Sequence, residues 1–461
     1  MFFKRNKAKF YLFFLFVVFL SISYVAFVYF VHRPGFELFS KDMISYSGFR
    51  ATIDSTNVTV NSIQISGSKD GGELINIYEN DEFLDSGNKI KIKIKFAPDS
   101  PVVKMIKNDN LDYFYLHYSI KYENKFFSSF VKDKIKLKID FDPPSISNVD
   151  SDAYTYLGGI GFVTYDTSLD TLRSYVDTGI EIAGARRMFY PLSITKEDRI
   201  SNLVFFTCFN APCKNKKIII KAEDISGNII SVDTRMKTIM NKEWTVSSIK
   251  IDNVFLLNKY NEIKKNNLTS AGAKEFKELN IEERKKNDSL IASQTSKITN
   301  KKLFNSRFLQ MQNSKVFSRF SEKRIYYIDD MEEPVDSKYH FGIDLATTEK
   351  ANVYASNTGS VSYVNGDGVG IYGKLVIVDH GLGFYSLYSH LSTISVKVGE
   401  KVNKKTVIGK TGQTGYAQGD HLHFGIYIQG VPFDPIELFD KNYINLKIIN
   451  IYNQFIARTI Q

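Results

Sequence analysis

With 461 residues, 43% of them hydrophobic and 24% charged, the chain can bury real cores and is long enough for roughly three domains of ordinary size. Its net charge of +10 does not mark a nucleic-acid surface. Lys4, Arg5, Lys7, Lys9 and Arg33 give +5 around the N-terminus, whereas residues 337–440 hold 8 Lys/Arg against 9 Asp/Glu. A nucleic-acid reading needs a basic face on a folded domain, so no nucleic-acid partner is expected.

Phe10–Val31 is a 22-residue run without a charged side chain. At about 1.5 Å per residue it reaches roughly 33 Å, enough to cross a bilayer. The basic cluster before it keeps the short N-terminus cytoplasmic. The expectation is a single-pass inner (cytoplasmic) membrane protein, residues 1–33 forming the cytoplasmic N-terminus and transmembrane anchor. The later domains would lie on the periplasmic (extracytoplasmic) side. A cleaved signal peptide is the rival, but the apolar run is unusually long and ends in FVYFVHRPGF, without a small-x-small site. His32 would be interfacial.

Residues 34–142 read as a β-sandwich-like module. NKIKIKIKF (Asn88–Phe96), LDYFYLHYSIKY (Leu111–Tyr122) and KIKLKIDF (Lys134–Phe141) alternate with period 2, giving one wet face. His117 is a packing or surface residue there. Pro143 and Pro144 stop the last strand, because proline cannot donate to a ladder. Residues 143–245 read as an immunoglobulin-like β module, with AEDISGN (Ala222–Asn228) resembling a hairpin of such modules. Cys208 and Cys213 in TCFNAPC fit a disulfide closing a short loop, two inert thiols being the alternative.

Residues 246–314 turn to Lys, Glu, Asn and Ser with few large apolar residues, which reads as a helical, partly solvated linker. From 315 to 440 glycine becomes frequent and strand-like runs are short: ANVYAS, GSVSYV, KLVIVDHG, FYSLYSHL, TVIGKTG and HLHFGIYI. A Gly-rich, all-β domain is expected, followed by a tail over 441–461. The fold class is mainly β.

Three clusters in the last domain carry chemistry: HFGID (His340–Asp344), SLYSHL (Ser386–Leu391) and GDHLHFGI (Gly419–Ile426). Period 2 puts the rings of His421 and His423 on one face. His340 and Asp344 add a nitrogen and an oxygen donor, with Gly342 letting the backbone bend. Two imidazoles and a carboxylate suit a catalytic zinc with a fourth position for water. Two histidines remain, suited to proton transfer or oxyanion stabilisation. GDGVGIYG is Gly-rich, but no helix start or Lys-Ser pair follows, so a phosphate loop is excluded.

The H-x-x-x-D, central His and H-x-H motifs, in this order, resemble the M23 (lysostaphin/LytM-type) zinc metallopeptidases over about Lys315–Asp440. The resemblance implies His340, Asp344 and His423 as ligands of one Zn2+, and His390 and His421 as the catalytic pair. It implies a peptidoglycan endopeptidase that cleaves wall cross-links by attack of a zinc-bound water. The alternative is a non-catalytic LytM-type regulator of wall amidases. Envelope proteins are expected as partners through the β modules. His380 in VIVDHG would be a structural turn residue. One departure is Ser321 in SRFSEKR, where the family's S-x-F-G-x-R lead-in commonly has Gly; that strand is expected to be structural only. An open zinc position could also accept an Asn, Glu or Asp of the linker, restraining the enzyme.

Overall fold

The computed structural model describes residues 34–460 except 39–42, 45–48, 56–57, 71, 81–88, 98, 124–127, 210–216, 235, 237, 241–243 and 330, and before 34 only 18–21 and 23. Among the described residues no helix is long and apolar enough to cross a membrane. The expectation of a single-pass membrane protein is corrected accordingly. Most of Phe10–Val31, and His32, lie outside the described residues; a run of apolar residues alone does not establish a spanning helix.

The chain is mainly β, as its alternating patterns imply. Contacts group it into two units, Met1–Pro144 with Glu223–Ile229, and Ser145–Ala222 with Ile230–Gln461. In the first unit a three-stranded sheet (Gly35–Leu38, Phe49–Asp54, Lys89–Ile94) contributes Ile53 and Ile92 to the core. A five-stranded sheet, centred on Thr59–Ser68, Tyr113–Glu123 and Ser128–Ile139, contributes Ile63, Phe114, Leu116 and Leu137 to the same core. The helix Pro101–Asn108 begins with Pro at a position where no donor is needed, capped by Ser100, whose Oγ accepts from Val103 N at 3.4 Å.

The second unit runs through the expected immunoglobulin-like module, linker, Gly-rich domain and tail. Two four-stranded sheets cover 146–233, with Ile219–Asp224 and Ile229–Asp233 adjacent around the AEDISGN turn. Cys208 is fully buried and disulfide-bonded. An eight-stranded sheet holds the histidine clusters. Its order is Lys315–Ser318, Ile343–Ala346, Leu422–Ile428, Phe384–Leu391, Gly373–Asp379, Gly359–Val369, Lys401–Val402, with Val431–Phe433 pairing beside Leu422–Ile428.

The segment read as a solvated linker is built differently. Val246–Ile251 is a strand, paired in parallel with Lys323–Ile328. The helices Asn253–Lys264 and Arg284–Gln294 then bury Leu256, Tyr260 and Ile291. Composition misled here because Leu256, Phe276, Leu279 and Ile291 are few but almost fully buried, among many charged residues of which Lys274, Lys277, Lys285 and Lys286 are exposed. One hydrophobic cluster joins Phe162 and Phe205 of the β module, Phe304 and Phe308, Phe384 and Phe424 of the eight-stranded sheet, and Ile444, Ile448 and Phe455 of the last helices. The residues after 440 are therefore core-forming rather than a free tail.

Candidate metal centre and its histidines

Antiparallel pairing sets Asp344 directly opposite His423, and His423 opposite Ser389. Directly opposed residues share a face, so the register alone brings this carboxylate and imidazole together. His340 enters from the turn before Ile343–Ala346. Gly342 allows the approach: a Cβ there would lie 2.6 Å from the Phe424 carbonyl and 2.7 Å from His423 Cε1. Close packing, not a backbone bend, is what this glycine supplies.

Three donor atoms converge. His340 Nε2 is 2.8 Å from His423 Nδ1, and Asp344 Oδ1 is 3.1 Å from His340 Nε2 and 3.0 Å from His423 Nδ1. The three residues are buried and form a group of potential metal-ligand atoms. Tetrahedral zinc with bonds of about 2.0–2.2 Å would want donors about 3.3 Å apart, so a small outward relaxation accommodates it. The tautomers also suit a metal. His340 Nδ1 donates to the Arg319 carbonyl at 3.0 Å, which frees the Nε2 lone pair. His423 turns Nδ1 toward Asp344 Oδ1 and His340 Nε2, the side on which a metal would take the place of a proton, while its Nε2 is buried without a partner. No Asp or Glu of residues 246–314 belongs to this group among the described residues.

His390 and His421 flank the three donors. Their ring centroids are 4.8 Å apart, and the His390 ring is 6.0 Å from that of His423. His421 Nε2 lies 3.7 Å from Asp344 Oδ1. Both donate Nδ1–H to a carbonyl at 2.8 Å, His390 to Thr414 and His421 to Gly419, which leaves Nε2 as the basic nitrogen of each. Period 2 would send His390 to the opposite face from Ser389. A register shift between Lys374 and Val376, and the left-handed φ of +59° at His390, interrupt the alternation at this position. An unusual backbone of this kind is found where a side chain must be re-aimed.

Burial decides the charges. It pushes His340 down to about 4, helped by the Arg324 charge and opposed by Asp344. Burial lowers His423, and lowers His390 well below the usual range with His421 and His423 adding to the effect. All three are neutral near pH 7, as metal ligation and proton acceptance require. Burial would raise Asp344, but His340 and the Arg324 guanidinium hold it well below the usual carboxylate range.

Sequence reasoning missed Arg324 and Ser318. The lead-in strand is not merely structural. Arg324 Nη2 donates to Asp344 Oδ2 at 2.5 Å and to Ser318 Oγ at 2.7 Å, and Ser318 Oγ is 3.2 Å from His340 Nδ1. The carboxylate is thus divided, Oδ2 to the guanidinium and Oδ1 to the histidines. The signal was present in the lead-in motif itself, which ends in Arg. Ser321 sits at φ +56°, the region where glycine is unstrained, which explains the family's preference at this turn. Replacing Arg324 with Met is expected to weaken zinc binding by about 10–100-fold, the usual loss for a partner of a ligand. Competition with a chromophoric chelator measures it, and Arg324→Lys, which keeps the charge but not the fork, should fall between.

His380 lies apart from this group. It is fully buried, Nδ1 bonding the Thr358 carbonyl at 2.7 Å and Nε2 the Ser386 hydroxyl at 2.7 Å. Burial pushes it down to about 4 from the usual 6.5. The unfolded chain therefore binds the extra proton first, and the neutral ring's contribution is lost as pH falls from about 6.5 to about 4, by roughly 3 kcal/mol. Urea midpoints at pH 7 and pH 4.5 should show a smaller pH effect in His380→Gln than in the parent.

Residues 338–435 match Peptidase family M23. This part of the chain is a peptidase M23 domain. The M23 domain is similar to that of Stage II sporulation protein Q of Bacillus subtilis (strain 168), 36% identical over 102 residues, 22% of this chain and 36% of that protein. It is similar to peptidoglycan DD-endopeptidase ShyA of Vibrio cholerae, 31% identical over 123 residues, 27% of each chain. The chain thus spans only about a third or less of the length of these relatives. Among solved structures, the catalytic domain of lysostaphin from Staphylococcus simulans is 26% identical, covering 27% of this chain and 90% of that one, with a TM-score of 0.23.

Proposed function

We propose that this chain is a zinc-dependent peptidoglycan endopeptidase. The observation that supports the reading is the convergence of His340 Nε2, Asp344 Oδ1 and His423 Nδ1 on one point, with two further histidines beside it, inside an M23 domain. A relative named as a peptidoglycan DD-endopeptidase makes wall peptide the favoured substrate.

His340, Asp344 and His423 would hold the metal. Bound there, zinc supplies Lewis acidity and brings the pKa of a coordinated water to about 7. The chain's own part is positioning and proton transfer. His390 and His421 each present a basic Nε2, fixed by the Thr414 and Gly419 carbonyls, so one can take a proton from the attacking water. The other, once protonated, can stabilise the developing oxyanion or protonate the leaving amine. Asp344 carries one negative charge among these rings, which favours an imidazolium as it forms.

The experiment is mass spectrometry of muropeptides after incubation with the full chain, alongside metal analysis. Bound zinc and newly cleaved peptide cross-links support the reading. A metal-free chain that leaves the wall intact would favour the regulator alternative and sink this one.

A further inference from the structure

We propose that the exposed face of the five-stranded sheet in the first unit binds an acidic glycan strand. The commitment to a wall-type glycan rests on the function proposed above; the presence of an anion-binding face does not. The register defines the face. Tyr113, Tyr115, His117, Ser119 and Lys121 lie opposite Lys138, Lys136, Lys134, Lys132 and Phe130, so five lysines share it and none of these ten positions is acidic. The alternate positions, Phe114, Leu116, Ile120 and Leu137, form the core on the other side. The nearest acids are Asp133, exposed between Lys132 and Lys134 at the alternate position opposite Tyr118, Glu79, beside Gln64, and Glu123 at the strand's end.

Three parallel rows result. Lys132, Lys134, Lys136 and Lys138 are all exposed. At about 3.4 Å per residue their stems stand about 6.8 Å apart and span about 20 Å, which suits a linear polymer with repeated anions better than a small ligand. The second row orders the first: Lys136 Nζ is 4.0 Å from the Tyr113 ring centre and Lys134 Nζ 5.0 Å from that of Tyr115. Ammonium groups already held over rings lose less freedom on binding. The third row, Ser62, Gln64 and Ser66, lies across Tyr113–Glu123 from the lysines. Hydroxyls and an amide beside a cationic row match a ligand that presents anions along one edge and sugar hydroxyls along the other. Ser128–Ile139 is covered on its far side by Met43–Ile44 over two residues, and lysines along the rest of it also discourage strand pairing, but that role uses neither the ordered rings nor the polar row.

The test is co-sedimentation of the full chain with purified peptidoglycan sacculi, in chelator so that nothing is digested. Substituting Lys132→Gln, Lys134→Gln and Lys136→Gln together should weaken retention at least about tenfold at low salt and reduce the salt slope, each lost anion contact lowering it by about one. Cleavage of a short soluble wall peptide by the zinc-loaded variant should be unchanged. Single-stranded polynucleotide and anionic vesicles are the competing probes. Unchanged retention by a variant with the parent's melting curve overturns the proposal, as does tighter binding of either competing probe than of sacculi. Loss of retention in a protein whose parent cuts no wall peptide would leave this face standing and remove the endopeptidase reading instead.

Discussion

His423→Ala should release the metal and lower cross-link cleavage by at least about 10³-fold, a barrier increase of about 4 kcal/mol. His423 touches both other members of the donor group and one of the flanking histidines. Its Nδ1 faces both His340 and Asp344, and its ring lies edge-on to Tyr372 at 5.7 Å and to His390 at 6.0 Å. Removing it takes one of three donors away and leaves two, too few to hold zinc against dilution. Two readouts separate this from simple unfolding. Zinc retained after gel filtration should fall from about one equivalent to near none. Added zinc should raise the melting temperature of the parent by mass action and leave that of the variant unmoved. A variant that keeps its zinc and its cleavage rate would refute the ligand assignment.

A fragment cut at Lys315, the boundary that sequence composition favours, is expected not to melt cooperatively. The helix Arg284–Gln294 supplies Ile291 to a cluster containing Ile371, Tyr372, Leu375, Tyr385 and Tyr427. Asn287 Oδ1 accepts from Ile371 N at 2.9 Å, and Asp288 accepts from the Tyr372 hydroxyl at 2.8 Å. Phe304 packs on Phe384 at 5.7 Å, and Phe205 on the same ring at 5.6 Å. Loss of a large buried side chain costs about 2–5 kcal/mol. Three or four such losses equal the roughly 5–15 kcal/mol that holds a domain together. Near-UV circular dichroism of 315–461 against 145–461 checks this. A sharp transition in the shorter fragment would show that the M23 domain stands alone.

The convergence of the three histidine clusters was more legible than the architecture around them. His421 and His423 could be grouped because period 2 puts alternate strand residues on one face, and His340 and Asp344 joined them as donors within the H-x-x-x-D motif. His390 obeys no such rule, since its position depends on an irregular pairing with Gly373–Asp379 and a left-handed residue; only the motif resemblance pointed to it. Arg324 was overlooked because the ion pair it makes with Asp344 links strands that are not neighbours in sequence. The linker was misread for another reason. Leu256, Phe276 and Ile291 are too few to dominate composition, yet each is almost fully buried. Average polarity reports how a segment's outside looks, and says little about what its inside touches.

The parallel pairing of Val246–Ile251 with Lys323–Ile328 bears on the order of assembly. Ser247 is the register partner of Arg324, with more than seventy residues between them. A parallel pair of this span closes a long loop and is slow to form. The guanidinium that fixes Asp344 is carried by the strand so completed, so the metal pocket should be among the last parts of the unit to mature. Metal would then be captured by a chain that is already nearly native.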